Sequence, residues 1–134
     1  MIGDLLTVSY RSRVCLADPV ADLLGIVQAS RVRNLRLGIT GILLYNGFHF
    51  VQTIEGPQNA CRELFARISE DPRHSDIVAF GVRKIERRRF PDWSMRLISR
   101  AELLETMPEL RLLDLKEHQD IERLHGRVLE ELSD

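Results

Sequence analysis

A tight turn at Asn46 and Gly47 is the feature that most constrains how this 134-residue chain folds. Residues 39–45 before the turn and residues 48–56 after it are rich in aliphatic and aromatic side chains. Asn-Gly between two such segments favours a two-residue β-hairpin, whose strands are antiparallel neighbours. The sequence therefore predicts a hairpin here, and the remaining elements must pack around it.

The second strand of this hairpin carries an amide on an apolar face. Side chains alternate between the two faces of a strand, and one face would carry Phe48, Phe50, Gln52 and Ile54. A buried amide without partners costs roughly 1 to 3 kcal/mol, so Gln52 needs polar neighbours. Backbone carbonyls in a structural role or a bound ligand would both satisfy it, and this strand alone does not distinguish them.

The other elements give the order β-α-β-β-α-β-β. We expect strands at residues 5–11, 77–85 and 93–99, and helices that begin at Asp18-Pro19 and at Gly56-Pro57. This order predicts an α+β, ferredoxin-like sandwich, with two helices on one face of a mixed five-stranded sheet. The first and third strands are expected to be parallel central neighbours, which brings Tyr10 and Gln52 onto the same helix-covered face.

Three further features bear on this interior. The first helix has a stripe at helical spacing that comprises Val20, Leu23, Leu24, Val27, Ser30 and Asn34. Asn34 is thus a second amide on a packing face, although a role in capping the helix end would also explain it. Gly41 indicates close approach to its backbone or a bulge. In the last strand, one face would carry Trp93, Met95 and Leu97.

Composition and charge exclude several classes of protein. The chain has 19 Lys and Arg against 20 Asp and Glu, so it has no general bias toward nucleic acid or an anionic membrane. No apolar segment approaches the roughly 20 residues of a membrane helix, and no signal peptide is evident. Cys15 and Cys61 lack metal-ligand spacing, and no metal site is predicted. We therefore expect a reduced, cytoplasmic protein.

Residues 99–134 are helical in composition and are expected to form an extension to a domain of residues 1–98. Ser99 is a candidate N-cap for a helix at residues 101–106. An amphipathic stripe follows that comprises Ile121, Leu124, Val128, Leu129 and Leu132. Such a stripe covers an apolar surface, either the open face of the sheet or a partner subunit. We expect His118 and His125 to be exposed on this segment.

The polar residues favour binding over hydrolysis. The sequence has no G-x-S-x-G, H-E-x-x-H or phosphate-binding Gly-rich motif, which argues against hydrolases, including enzymes of the acylphosphatase type. The pattern instead directs a phenol and two amides, Tyr10, Asn34 and Gln52, toward one interior region. Such groups hydrogen-bond well around a planar heterocycle.

Six motifs occur in a recognisable order: Tyr10-Arg-Ser12, Ser30-Arg-Val-Arg-Asn34, Gly38-Ile-Thr-Gly-Ile-Leu-Leu-Tyr45, Phe50-Val-Gln52-Thr-Ile-Glu-Gly56-Pro, Asp71-Pro-Arg-His74 and Arg88-Arg-Phe-Pro-Asp-Trp93-Ser-Met95. Residues from about 5 to 98 resemble the BLUF domain, the sensor of blue light using FAD. The short length is similar to that of stand-alone bacterial members, whose C-terminal helices stand in place of a fused output domain.

The resemblance implies a photoreceptor without enzymatic turnover that binds FAD non-covalently, or else FMN or riboflavin. It implies that Tyr10 donates an electron and a proton, that Gln52 bridges Tyr10 to the flavin and that Asn34 anchors the ring. The further residues implied in cofactor binding are Ile26, Ser30, Arg33, Leu43, Phe50, Ile68, Asp71, Arg73 and His74. Arg33 departs from members that carry His there, which affects the contact to one side of the flavin.

The signal would then pass through Trp93 and Met95 to the C-terminal helices, and on to an unidentified downstream protein or a homodimer. A light-insensitive ferredoxin-like interaction or regulatory module is the alternative from another class. Intact Tyr10, Asn34 and Gln52 argue against that alternative.

Overall fold

The computed structural model describes residues 4–132. Residues 1–3 of the predicted domain (1–98) and residues 133–134 of the predicted extension (99–134) lie outside the described residues. Its strands are β1 (Leu5–Val14), β2 (Thr40–Tyr45), β3 (His49–Pro57), β4 (His74–Ile85) and β5 (Arg96–Ile98). Its helices are α1 (Pro19–Leu37), α2 (Gln58–Glu70), α3 (Arg100–Thr106) and α4 (His118–Leu132), with a 3-10 turn at Leu112–Asp114. None of these helices is long and apolar enough to cross a membrane.

The strands form one mixed sheet in the order β4-β1-β3-β2-β5, which confirms the α+β, ferredoxin-like prediction. The predicted parallel pairing of the first and third strands is wrong, because β1 and β3 are antiparallel. The crossover through α1 leaves β2 running in the direction of β1, and the hairpin then reverses β3. Tyr10 and Gln52 are nevertheless directly opposite each other in this register.

Helix α1 begins where the sequence predicts, because the Asp18 side chain accepts a hydrogen bond from the backbone N–H of Ala21. It continues past Asn34 to Leu37, so Asn34 is an internal residue and does not cap the helix end. The predicted apolar stripe is only partly right. Val20 and Leu24 are 73% and 53% exposed, because their positions around the helix turn them toward solvent.

The hairpin turn lies one residue later than predicted. Asn46 and His49 form its closing pair, and the Asn46 side chain accepts hydrogen bonds from the N–H groups of Phe48 and His49. Gly47 occupies the first loop position with a φ of 97°, a conformation that glycine adopts without strain. Phe48 is therefore a loop residue and 66% exposed, not the start of the buried face.

Gly41 allows close approach between strands. A Cβ atom at this position would collide with the Thr53 carbonyl of β3, whereas the β2–β3 register is continuous, so the alternative of a bulge is excluded. The Gly41 N–H also donates to the Trp93 carbonyl at 2.9 Å. This bond ties the segment before β5 to the sheet.

The last strand is shorter than predicted, and the predicted common face of Trp93 and Met95 is wrong. Both residues precede β5, in irregular backbone after Phe90. Met95 is buried on the side of α1 and α2, while Trp93 stacks on Phe90 on the other side of the sheet. An irregular segment does not alternate its side chains as a strand does, which accounts for the difference.

Each face of the sheet has its own core. Helices α1 and α2 cover one face, where the buried side chains include Leu6, Val8, Leu43, Phe50, Ile54 and Leu64. The C-terminal helices cover the other, where they include Ile42, Leu44, Val51, Ile121, Leu124 and Val128. The C-terminal stripe thus packs on the open face of the sheet. His125 is buried in that interface, so the prediction that it is exposed is wrong.

Candidate functional site

A pocket opens between the sheet and helices α1 and α2. Its lining comprises Tyr10, Ile26, Ser30, Arg33, Leu43, Phe50, Gln52, Ile68, Asp71, Arg73 and His74. These are the residues that the resemblance implies in cofactor binding, apart from Asn34. The fold therefore gathers into one cavity side chains that are up to 64 positions apart in the sequence, from Tyr10 to His74.

A tyrosine and a glutamine face each other at the floor of the pocket. The Tyr10 hydroxyl donates to Gln52 Oε1 at 2.5 Å, and both side chains are about 95% buried. Burial raises the pKa of Tyr10 above its ordinary value, so the phenol stays protonated at neutral pH. The Gln52 amide group lies 3.7 Å from Met95 Sδ, a weak acceptor. Gln52 is thus firmly held at its oxygen end and weakly at its nitrogen end.

Asn34 lies beside the pocket and is completely buried. Its Nδ2 donates to the Ser94 carbonyl at 2.6 Å, and its Oδ1 accepts from the Arg33 guanidinium at 3.4 Å. One turn earlier, Arg31 Nε donates to the Met95 carbonyl at 3.0 Å. Helix α1 therefore fixes the backbone that places Met95 next to Gln52. Sequence reasoning missed these tethers, although Arg31 belongs to a motif that it singled out.

His74 forms a second wall of the pocket. Its Nε2–H donates to the Ile68 carbonyl at 2.5 Å, and its Nδ1 is hydrogen-bonded to the Ser12 hydroxyl at 2.7 Å. The ring is thereby held edge-on to Tyr10, with centroids 5.7 Å apart. Sequence reasoning missed Ser12 as a supporting residue. Period-two alternation would have found it, since it follows Tyr10 by two positions on the same face.

The mouth of the pocket is charged. Arg73 forms an ion pair with Asp71 at 2.6 Å, and the hydrogen bond from Arg73 lowers the pKa of the Asp71 carboxyl. The Arg33 guanidinium lines the same cavity and is half-buried. Cations at the rim suit an anionic group such as a phosphate.

The donor set fits a flavin. Four apolar side chains, Ile26, Leu43, Phe50 and Ile68, can sandwich a planar ring, while the phenol and amide at the floor can hydrogen-bond its polar edge. No cluster of three or more candidate metal ligands occurs among residues 4–132. Trp93 lies outside the lining, on the far side of the sheet, so Met95 is the neighbour of Gln52.

A family model described as sensors of blue-light using FAD matches residues 5–96. The chain belongs to the BLUF family. It is therefore a blue-light photoreceptor of the flavin-binding type. The match spans strands β1 to β4 and the start of β5, and so includes the whole pocket.

Solved and curated proteins resemble the chain to different extents. The dark-state structure of the BLUF protein BlrB is 60% identical with a TM-score of 0.91, and the match covers 98% of this chain and 100% of that one. A photoactivated adenylate cyclase subunit beta from Euglena longa is 38% identical over 80% of this chain, and the blue light- and temperature-regulated antirepressor BluF from Escherichia coli is 38% identical over 69%. The chain spans only 12% and 23% of those two proteins.

Proposed function

We propose that the chain binds FAD non-covalently in this pocket and acts as a light-driven switch through Tyr10 and Gln52. The observation that carries the proposal is the buried Tyr10–Gln52 hydrogen bond at the floor of a pocket with apolar walls and a cationic mouth. The apolar walls would hold the ring. Asp71, Arg73 and His74 would face the ribityl and phosphate part, and Arg33 would face one side of the ring.

A bound flavin absorbs blue light and, once excited, is a strong oxidant. Tyr10 is placed to give up an electron. Because burial disfavours a free phenolate, the hydroxyl keeps its proton until an electron leaves Tyr10 for the bound flavin, and the proton would then leave along the hydrogen bond to Gln52 Oε1. Electron and proton then return to Tyr10.

The lasting change is in the hydrogen bonding of Gln52. Its amide has a donor end and an acceptor end, so rotation or tautomerisation reverses the pattern that it presents to its neighbours. Among the described residues, the oxygen end has the short bond to Tyr10, whereas the nitrogen end has the Met95 sulfur as its only partner. Reversal would therefore turn the amide nitrogen toward Tyr10 and the amide oxygen toward Met95, so Met95 must adjust. Asn34 is expected to take part in orienting the ring from beside the pocket.

The output is proposed to leave through the C-terminal extension, residues 99–134, while residues 1–98 hold the flavin. Met95 and Trp93 precede β5, which leads through Ser99 into α3. The capping box of Ser99 and Glu102 gives that helix a defined start. We propose a downstream protein or a second copy of the chain as the receiver, no enzymatic turnover within the chain, and a cytoplasmic location, where the free thiols Cys15 and Cys61 stay reduced.

A light-minus-dark absorbance spectrum tests the proposal. The purified protein should be yellow and should show a reversible red shift under blue light. Tyr10→Phe and Gln52→Leu should abolish the shift while the protein stays yellow, because each removes one half of the hydrogen bond but leaves the apolar walls. Tyr45→Phe and Gln28→Leu, which lie outside the lining, are matched controls that should keep it. Chromatography of the released flavin identifies FAD, FMN or riboflavin.

Two outcomes would contradict the proposal, in whole or in part. A folded, colourless protein that takes up no FAD on reconstitution would contradict the proposal and support the light-insensitive regulatory module. If the Tyr10→Phe variant is yellow and still shows the red shift, the protein binds a flavin but Tyr10 has no part in the mechanism.

A further inference from the structure

A chain of buried hydroxyl groups lies directly behind Tyr10 and Gln52. Ser9 precedes Tyr10 in β1, and Thr53 follows Gln52 in β3, so both point to the opposite face of the sheet. Their hydroxyl oxygens are 2.8 Å apart, and Thr53 Oγ1 is 2.8 Å from His125 Nε2 on α4. The two photoactive residues and α4 are thus connected through neighbouring positions on the same two strands.

The chain is buried, since Ser9, Thr53 and His125 are each at most 5% exposed. A hydrogen bond to Thr53, which is 0% exposed, is costly to lose because water has no direct access to its hydroxyl group. The Phe90 ring packs edge-to-face on the His125 imidazole with centroids 5.0 Å apart, which limits the orientations of the imidazole. If Thr53 moves, either α4 moves with it or the Thr53–His125 hydrogen bond breaks.

The bond also has two alternative directions. Either the Thr53 hydroxyl donates to an unprotonated Nε2, or an Nε2–H donates to the Thr53 oxygen, and the second arrangement frees the Thr53 proton for Ser9. Burial favours the neutral imidazole and so keeps both tautomers available without a charge in the interface. A group with two discrete bonding states is what a switching element requires.

The surroundings leave room for movement. The β1–β4 ladder is interrupted between Val8 and Tyr10, opposite Gly81, which has a φ of 100°. A cavity of about 340 Å³ borders Ser9, Gly81 and His125. A bulge and an adjoining cavity reduce the resistance that a close-packed core offers to small displacements.

We propose that the Thr53–His125 hydrogen bond passes the light-induced change at Gln52 through the sheet to α4. Reversal of the Gln52 amide displaces β3, the displacement changes the bond at Thr53, and His125 transmits that change to the C-terminal helix. This inference rests on the proposed function. It adds a route through the sheet to the one along the segment before β5.

Nuclear magnetic resonance of the full chain, labelled with nitrogen-15 and loaded with FAD, tests the route in the dark and under blue light. In the wild type we expect light to shift the ring-nitrogen resonances of His125 and the amide resonances of α4. Thr53→Val, which removes the hydroxyl but keeps the shape, should abolish most of the light-induced α4 shifts. The visible red shift should remain, and Thr53→Ser, which restores the hydroxyl, should restore the α4 response.

His118→Gln is the matched control, because His118 lies on the same helix but bonds the exposed Glu122 carboxylate. It should leave the α4 response intact. Unchanged α4 shifts in Thr53→Val, or a wild-type His125 ring that does not respond to light, would overturn the route while the red shift persists. A wild type without a red shift would instead overturn the proposed function itself. The wild-type His125 measurement also decides the matter should a variant fold poorly.

Discussion

At the scale of single residues, burial shifts the pKa values of Tyr10 and His125 in opposite directions. Burial opposes charge, so it raises the pKa of the phenol and lowers the pKa of the imidazole, in the second case to about 3. Both groups are neutral as a result. On one face of the sheet this keeps a proton on Tyr10, and on the other it keeps a lone pair on a His125 nitrogen.

A pH-dependent stability follows from His125. Its pKa lies below that of an unfolded chain, so between about pH 6.5 and pH 3 the unfolded state binds a proton that the folded state does not. Stability is therefore fully present above pH 6.5 and falls as the pH drops through this window, by at most about 1.4 kcal/mol per pH unit. Arg89 and His118 reinforce the lowering of the His125 pKa.

Urea unfolding of wild type and His125→Gln at several pH values between 6.5 and 5 measures this slope. The variant should lose most of it, because glutamine does not titrate. His118→Gln should keep most of it, because burial is the main cause of the lowered pKa of His125 and His118 only a minor one. Equal slopes in wild type and His125→Gln would show that His125 is protonated in the folded protein or makes no contribution.

At the scale of strands and helices, two glycines show how strongly context decides a substitution. In β2, a Cβ atom on Gly41 would collide with the Thr53 carbonyl, whereas a Cβ atom on Gly25 of α1 has no neighbour within 4 Å. Gly41→Ala should therefore force β2 and β3 apart and disturb the backbone of both Thr53 and Gln52.

We expect Gly41→Ala to lower the free energy of unfolding by at least roughly 1 to 3 kcal/mol, the usual cost of overpacking a core. Gly25→Ala, by contrast, should raise it by up to about 1 kcal/mol because alanine favours the helix. Thermal unfolding of both variants measures the difference. A neutral Gly41→Ala would mean that the two strands can separate without cost.

The elements also show where sequence reasoning succeeds. Alternation placed Tyr10 and Gln52 on one face because both lie in regular strands, and Asp18-Pro19 marked a helix start because local chemistry suffices there. Phe48 was misplaced because the Asn46 side chain accepts hydrogen bonds from the turn backbone and so fixes a turn one residue later. Residue spacing alone does not distinguish these two adjacent turns. Trp93 and Met95 were misplaced because their segment is held by tertiary bonds to Gly41 and Arg31.

The burial of His125 was within reach of the sequence. It follows Ile121 by four positions and precedes Val128 by three, so it lies within the apolar stripe of α4. A polar residue at such a position calls for a partner. The partner, Thr53, is 72 positions away and cannot be found from local pattern.

At the scale of the whole molecule, one sheet belongs to two cores. In β2, Ile42 and Leu44 pack under the C-terminal helices, whereas Leu43 between them faces the pocket. Neighbouring residues of one strand therefore depend on both sets of helices. Loss of either layer exposes a face of the same sheet, so the two layers should unfold together.

Leu124→Ala tests this dependence from the side away from the flavin. Leu124 is 3% exposed in the core under α4, and its truncation should lower the free energy of unfolding by about 2 to 5 kcal/mol. The dark absorbance spectrum should not change, because the pocket lies on the other face. Leu104→Ala, at a position 61% exposed on α3, should stay within about 0.5 kcal/mol of wild type.

Cooperativity is the decisive part of this prediction. Flavin fluorescence reports the pocket, and far-ultraviolet circular dichroism reports the helices. In wild type and in Leu124→Ala the two signals should change at one common midpoint, which moves down in the variant. A variant that loses helical signal first and keeps its flavin would show that the C-terminal layer detaches alone. The sheet would then be stable with one face open, and α4 would act as a separable output element.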